Sequence, residues 1–297
     1  MRVDSRRGWG VWQVLDANTG VSVDYEEWLK RLASYDIVYV GEEHYNQYHV
    51  EAALKVLDSL VSHGARPVIA MEMFGWDGQA ALDHYLKTED RDRTRFIQES
   101  QWMQNWGGAY EDYEPLVQFA QQHRLVLRAL NPPKALVRNV VKLGLAKAKE
   151  EPLWSQWSMR DETIVDDPAY RDKILRQLQE CHGGGSPEDY ETMYEASMVR
   201  DEAMAKALVT LLTEEGAGLE KAGPILSYTG GGHIQYRLPV PKRVARRKND
   251  EVRQVTVYLT SFEASRTEEI RHLMAEGIAD YVWLTPVSEK GPPRRCR

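Results

Sequence analysis

The 297-residue chain is expected to be an α/β protein, a mostly parallel central sheet flanked by helices, with a smaller all-helical subdomain. Three observations predict this. The runs "DIVYV" at 36–40, "RPVIAME" at 66–72 and "LVLRAL" at 125–130 have the apolar, β-branched composition of buried strands. The first two enclose one helix, and strand–helix–strand in that rhythm makes the strands parallel. From Lys134 to about Leu212 there is no strand pattern, only helical spacing.

Taken in order, "DIVYV" runs into Gly41, Glu42, Glu43 and His44. The next helix is read from Val50, Ala53, Leu54, Leu57, Leu60 and Val61, with Gly64 as its stop. Residues 77–123 read as helices interrupted by glycine and aromatic residues, and "NPP" at 131–133 closes the third strand. "PILSYT" at 224–229 returns to the sheet, "VRQVTVYLT" at 252–260 adds a strand, and "TEEIRHLMAEG" is a final helix. The expected organisation is one domain over 1–297: a core at about 20–135 and 214–285, a helical insertion at about 136–213, and a tail at 286–297.

Composition narrows the function. Hydrophobic residues are 42% and charged residues 28%, ordinary for a globular chain, and the net charge of −7 argues against a general nucleic-acid binder. The basic run "PKRVARRKND" at 241–250 is read as a solvated loop, or alternatively as a cationic rim for an anionic ligand. Two cysteines, Cys181 and Cys296, suggest no disulfide framework and fit a reducing compartment. No signal segment or membrane-spanning stretch is evident, so a cytoplasmic location is expected.

The chemistry should sit where strands end, because ligands of open parallel sheets bind beyond the strands' carboxyl ends. There the sequence offers Glu42, Glu43 and His44, then Glu72, then Asn131, then His233. Gly-x-x-His follows two separate strands, at 41–44 and 230–233. With 21 Gly and 8 His, chance expects fewer than one such match. Glu72 lies in the apolar "IAMEMF" and requires a partner. It could pair with a buried arginine such as Arg200, bind a metal, or act as a general base with a raised pKa. Histidine and carboxylate donors suit Zn, Mn or Fe, and Glu43, His44 and His233 are the candidate set. Arg200 and Asp201 sit on an Ala/Met-rich helix, either as surface charges or as anchors for Glu42 or Glu72. Of Glu42 and Glu43, only one should face the cleft, since neighbours in extended chain point to opposite sides. Trp102, Trp106, Tyr110 and Tyr113 could line an aromatic pocket or simply pack helices.

The blocks "VGEEHYNQYH", "MEMFGWDGQAALDHYL", "YEPLVQFAQQHRLVLRALNPPKALVR", "RDEAMA" and "GGGHIQYRLP" together resemble the ChaN-type haem-binding proteins. That family is grouped with Tiki, TraB and erythromycin esterase proteins, and the resemblance covers roughly residues 33–262. It implies a parallel α/β core with a helical part, a haem cofactor, a tyrosine as iron ligand and a homodimer. Tyr228 and Tyr236 are the candidate tyrosines, with His233 or Arg237 as stabilisers. Trp102 and Trp106 would border the haem, and Arg237, Lys242 and Arg243 would meet its propionates. The Tiki and esterase branches imply instead a hydrolase of an ester or peptide bond. It would be metal-dependent or histidine-based, using His44, Glu72 and His233. The expected partner is haem or a small-molecule or peptide substrate.

Overall fold

The computed structural model describes residues 8–88, 92–181, 183–215 and 223–289. His182, Cys296 and the tail beyond Glu289 lie outside them. Seven strands form one sheet: β1 (Val14–Asp16), β2 (Ile37–Glu42), β3 (Val68–Gly75), β4 (Leu127–Asn131), β5 (Ile225–Gly230), β6 (Gln254–Ser261) and β7 (Tyr281–Thr285). Their spatial order is β1-β7-β6-β2-β5-β3-β4. Every pairing is parallel except β1 against β7. The sheet is therefore the mostly parallel one expected, with two further strands, the edge strand β1 and its neighbour β7, that the sequence analysis lacks. β1 is only three residues long, and β7, "YVWLT", follows the expected final helix.

The helices in chain order are α1 (Tyr25–Leu32), α2 (Gln47–Ser62), α3 (Gln79–Lys87), α4 (Arg93–Glu99), α5 (Trp102–Asn105), α6 (Glu114–Gln122), α7 (Lys134–Leu143), α8 (Leu145–Ala148), α9 (Pro152–Gln156), α10 (Pro168–Cys181), α11 (Pro187–Glu215), α12 (Val240–Arg247) and α13 (Thr267–Ala275). α2 starts where the Asn46 side chain accepts from the Tyr48 N–H (3.0 Å), an N-cap that ends the β2 corner locally. One sheet face carries Val38, Val40, Ile69, Met71 and Leu226, packed on α1, α2 and α6. The opposite face carries Ile37, Tyr39, Ala70 and Ile225, covered by Met204, Leu208 and Leu211 of α11 and Val240 and Val244 of α12. Strands β2, β3 and β5 are buried along their whole length, as strands covered on both faces must be.

Two sequence expectations change here. The basic run is a helix, α12, and its arginines are neutralised by a buried carboxylate. Buried Glu202 of α11 meets Arg243 Nε (3.3 Å), Arg246 Nη2 (2.7 Å) and Arg247 Nη2 (3.0 Å). Alternation of Val240, Pro241 and Val244 with the arginines makes an amphipathic helix that a charge count does not reveal. Cys181, at the end of α10, is disulfide-bonded rather than free. Among the described residues, no helix is long and apolar enough to cross a membrane.

Packing behind β3 is tight enough to test. A Cβ at Gly78 would overlap the Ser100 carbonyl oxygen, and that backbone cannot yield cheaply. Gly78→Ala is expected to lower stability by about 2 kcal/mol, the usual cost of overpacking. A urea midpoint unchanged from the parent would contradict this account of the packing.

Candidate functional site

The register of β2 on β5 sets Glu42 opposite Gly230. The two Gly-x-x-His corners therefore leave the sheet side by side, at the carboxyl ends of adjacent parallel strands. A side chain at Gly230 could not be accommodated. Its Cβ would lie 2.7 Å from His44 Cε1, 2.8 Å from His44 Nε2 and 3.4 Å from Glu72 Oε2. Glycine here lets the two corners close on each other.

One half of the cleft is built on Glu42. This carboxylate is buried. Its Oε1 meets His44 Nδ1 at 2.7 Å and accepts from the Tyr113 hydroxyl at 2.8 Å, and its Oε2 accepts from the Tyr228 hydroxyl at 2.6 Å. Burial raises the Glu42 pKa, and the bonds from His44, Tyr228 and Tyr113 only partly offset it. For His44, burial opposes the charged form, but pairing with Glu42 outweighs it and the pKa is raised. The His44 side chain is still 38% exposed, and its ring stands edge-on to Trp106 with centroids 4.9 Å apart. Its Nε2 bonds no protein group among the described residues.

The other half is built on Glu72, also fully buried. It pairs with an Arg200 terminal nitrogen, accepts from the Gly230 N–H at 2.6 Å and lies 3.3 Å from His233 Nε2. Arg200 is held in turn by its Nε on Asn131 Oδ1 (3.0 Å), and Asn131 Nδ2 donates to the Glu72 carbonyl (2.6 Å). His233 Nδ1 meets Asp201 Oδ1 at 2.6 Å, and the Tyr170 hydroxyl donates to Asp201 Oδ2 at 2.5 Å. Burial would discharge Glu72, but His233 and Arg200 beside it hold its pKa well below the carboxylate range. Burial would likewise lower His233, yet Glu72 and Asp201 outweigh it and lift the ring to about 9. At neutral pH His233 is thus an imidazolium between two carboxylates. That makes it a proton donor or an electrostatic clamp, while His44 keeps an open nitrogen.

The structure brings together Glu42, His44, Glu72, Asn131, Arg200, Asp201 and His233. It does not bring Glu43 with them. Glu43 points to the other side of β2, where it accepts from Thr260 Oγ1 (2.8 Å), Ser261 N (3.0 Å) and Ser261 Oγ (2.6 Å). Among the described residues, no three His, Cys, Asp or Glu side chains are disposed to hold a metal ion. The donor set Glu43, His44 and His233 thus does not assemble for Mn, Zn or Fe, because Glu43 faces away and His233 is occupied on both nitrogens.

Most of the other expected residues are engaged within the protein. Tyr228 is buried with its hydroxyl on Glu42, and burial drives its pKa well up, so its oxygen is not offered to a ligand. Tyr236 bonds Glu276 (2.9 Å) with Lys173 over its ring. Arg237 pairs with Asp280 (3.0 Å), Lys242 with Asp167, and Arg243 is buried on Glu202. Trp102 is buried against Phe74 and Tyr110, and its Nε1 donates to the Gly108 carbonyl, whereas Trp106 borders His44. Sequence reading assigned no polar role to Tyr113 and passed over Tyr170. Both contact the cleft from distant helical segments, and nothing in their local sequence announces it.

These features define an α/β protein whose cleft holds two histidine–carboxylate pairs beside a buried glutamate and its arginine partner. Within that class the chain belongs to the family described as "Haem-binding uptake, Tiki superfamily, ChaN", whose profile matches residues 28–244. The fold is similar to that of ChaN of Campylobacter jejuni, solved with cofacially bound haem. The TM-score is 0.68 at 17% identity, covering 91% of this chain and 95% of that one. A mutant erythromycin esterase, EreC, in its open conformation gives a TM-score of 0.47 at 13% identity, covering 84% of this chain and 76% of that one. No curated protein sequence matches significantly.

Proposed function

We propose that the chain is a haem-binding protein that handles haem or haem iron, taking the tetrapyrrole at the mouth of the His44 cleft. The observation that carries this reading is the state of His44. One ring nitrogen is anchored to a buried carboxylate, the other is open, and an indole stands beside it. An imidazole fixed in this way through its far nitrogen is the donor an axial iron site requires. His44 would hold the iron and Trp106 would give apolar contact. Bound haem would supply a redox-active iron centre. Membership of a haem-binding family supports the reading, as does the similarity to a ChaN solved with haem. Pairing of two copies around haem belongs to the same proposal.

Titration with hemin should give a saturable Soret band, with a mass by light scattering that reports pairing. His44→Ala is expected to weaken binding by about a hundredfold or more, since an axial bond is lost, and to shift the band. Equal binding by the variant would remove His44 as the ligand.

A second reading is favoured by one observation, the Glu42-held His44 imidazole facing a Glu72–Arg200–His233 group. This suits a histidine-based hydrolase of an ester or peptide bond, with His44 as general base. Turnover of activated esters, abolished in His44→Ala and indifferent to chelators, would support it.

A further inference from the structure

Three cations stand at the edge of the cleft, and only one has a carboxylate. Arg200 commits Nε to Asn131 and one terminal nitrogen to Glu72, and its Nη1 meets no protein group among the described residues. Lys134 opens α7 three residues after Asn131, and its backbone N–H donates to Asn105 Oδ1 (3.1 Å). Arg138 is one turn further along the same face of α7, at the i+4 position. Neither Lys134 nor Arg138 pairs with an acid among the described residues. Asp77, close by, is engaged with Asn105 Nδ2 (2.8 Å).

The contrast with the cations in and beside α12 matters. Arg237, Lys242, Arg246 and Arg247 all have carboxylate partners. Lys134 has the opposite surroundings: burial first, then the charges of Arg138 and Arg200, hold its pKa below the usual lysine range. Gathering like charges without a counter-ion costs free energy that a bound anion would return.

We propose that Lys134, Arg138 and the free edge of Arg200 form a receptor for a carboxylate carried by the ligand of the cleft. The inference rests on the haem reading only in naming that ligand, whose carboxylates would be the tetrapyrrole's propionates. It replaces Arg237, Lys242 and Arg243 in that role, because those three are neutralised within the protein. Planar guanidinium and flexible ammonium donors together suit a carboxylate that sits at the rim, partly in water.

The test compares hemin with hemin dimethyl ester, whose propionates carry no charge, on the parent protein and a Lys134→Ala/Arg138→Ala variant. The variant should bind hemin about tenfold more weakly and the ester as the parent does. Both side chains lie at the surface of α7, and a thermal melt checks that the variant is folded. Equal weakening for both ligands, or no change for either, overturns the proposal. Benzoate is titrated separately into protein carrying ¹³C-dimethyl lysines, with the Lys134 signal assigned through Lys134→Arg. Its titration midpoint should rise on saturation, and a midpoint that stays put counts against the receptor. Parent protein that binds neither hemin nor its ester would end the haem reading, leaving the benzoate arm to decide on the receptor alone.

Discussion

Glu72→Ala is expected to destabilise the protein by about 3 kcal/mol and to bring down the His233 titration midpoint. Removing one member of a buried ion pair strands the other, a loss of about 3–5 kcal/mol for fully enclosed partners. The lower end is expected here because the Arg200 side chain is 34% exposed and water takes up part of its charge. His233 keeps Asp201 but loses Glu72, the foremost of the groups that lift it to about 9. By NMR its midpoint should fall by a unit or more. The raised pKa also fixes a sign. Folding is favoured by His233 protonation fully below its ordinary value of 6.5, and that contribution is lost as pH rises through about 9. The parent should therefore weaken in denaturant between these two pH values, and Glu72→Ala should show a flatter profile there. A variant that matches the parent in urea midpoint and His233 titration would mean that the Glu72 cluster is not assembled in solution.

How far the sequence discloses this arrangement depends on the range of the signal. Strands β2, β3 and β5 are covered on both faces, so each is an uninterrupted apolar run and each is legible. β7 has the same character in "YVWLT" but follows the expected final helix, closed by Gly277, with only five residues to carry the signal. β1 is too short to carry a period. At the site, glycine-histidine corners are local and readable, and the parallel register of β2 and β5 brings them together. What is not local is the choice between Glu42 and Glu43. It depends on Tyr113 and Tyr228 claiming one carboxylate and on Thr260 and Ser261 claiming the other. Those partners lie some 70 to 220 residues away, as the sequence separations of 71 and 217 show. The arginines of α12 fail for the same reason: their counter-charge, Glu202, is on another helix.

The second large effect comes from the far side of β2, where Glu43 went. His49 of α2 is completely buried and neutral in form. Its Nδ1 accepts from the Glu43 N–H at 2.8 Å, which requires an unprotonated nitrogen, and Nε2 then donates to Thr285 Oγ1 at 2.9 Å. Burial foremost, then the charges of His44 and Arg266, lower its pKa from 6.5 to about 3. The sign is opposite to that of His233. Above 6.5 the ring is neutral in folded and unfolded chains alike and titration costs nothing. As pH falls below 6.5 the unfolded chain takes up a proton that the fold refuses, and stability drops by about 1.4 kcal/mol per unit until pH nears 3. His49→Gln preserves one acceptor and one donor on the same contacts but cannot titrate. Its stability should be near or somewhat below the parent's at pH 7. Between pH 6 and 4 its decline should be shallower by about one proton, as read from urea midpoints at each pH. Parallel acid profiles for the two proteins would show that His49 takes up its proton inside the fold. The charge would then sit at the β2–β6–β7 junction beside Glu43 Oε2, which lies 3.8 Å from His49 Nε2.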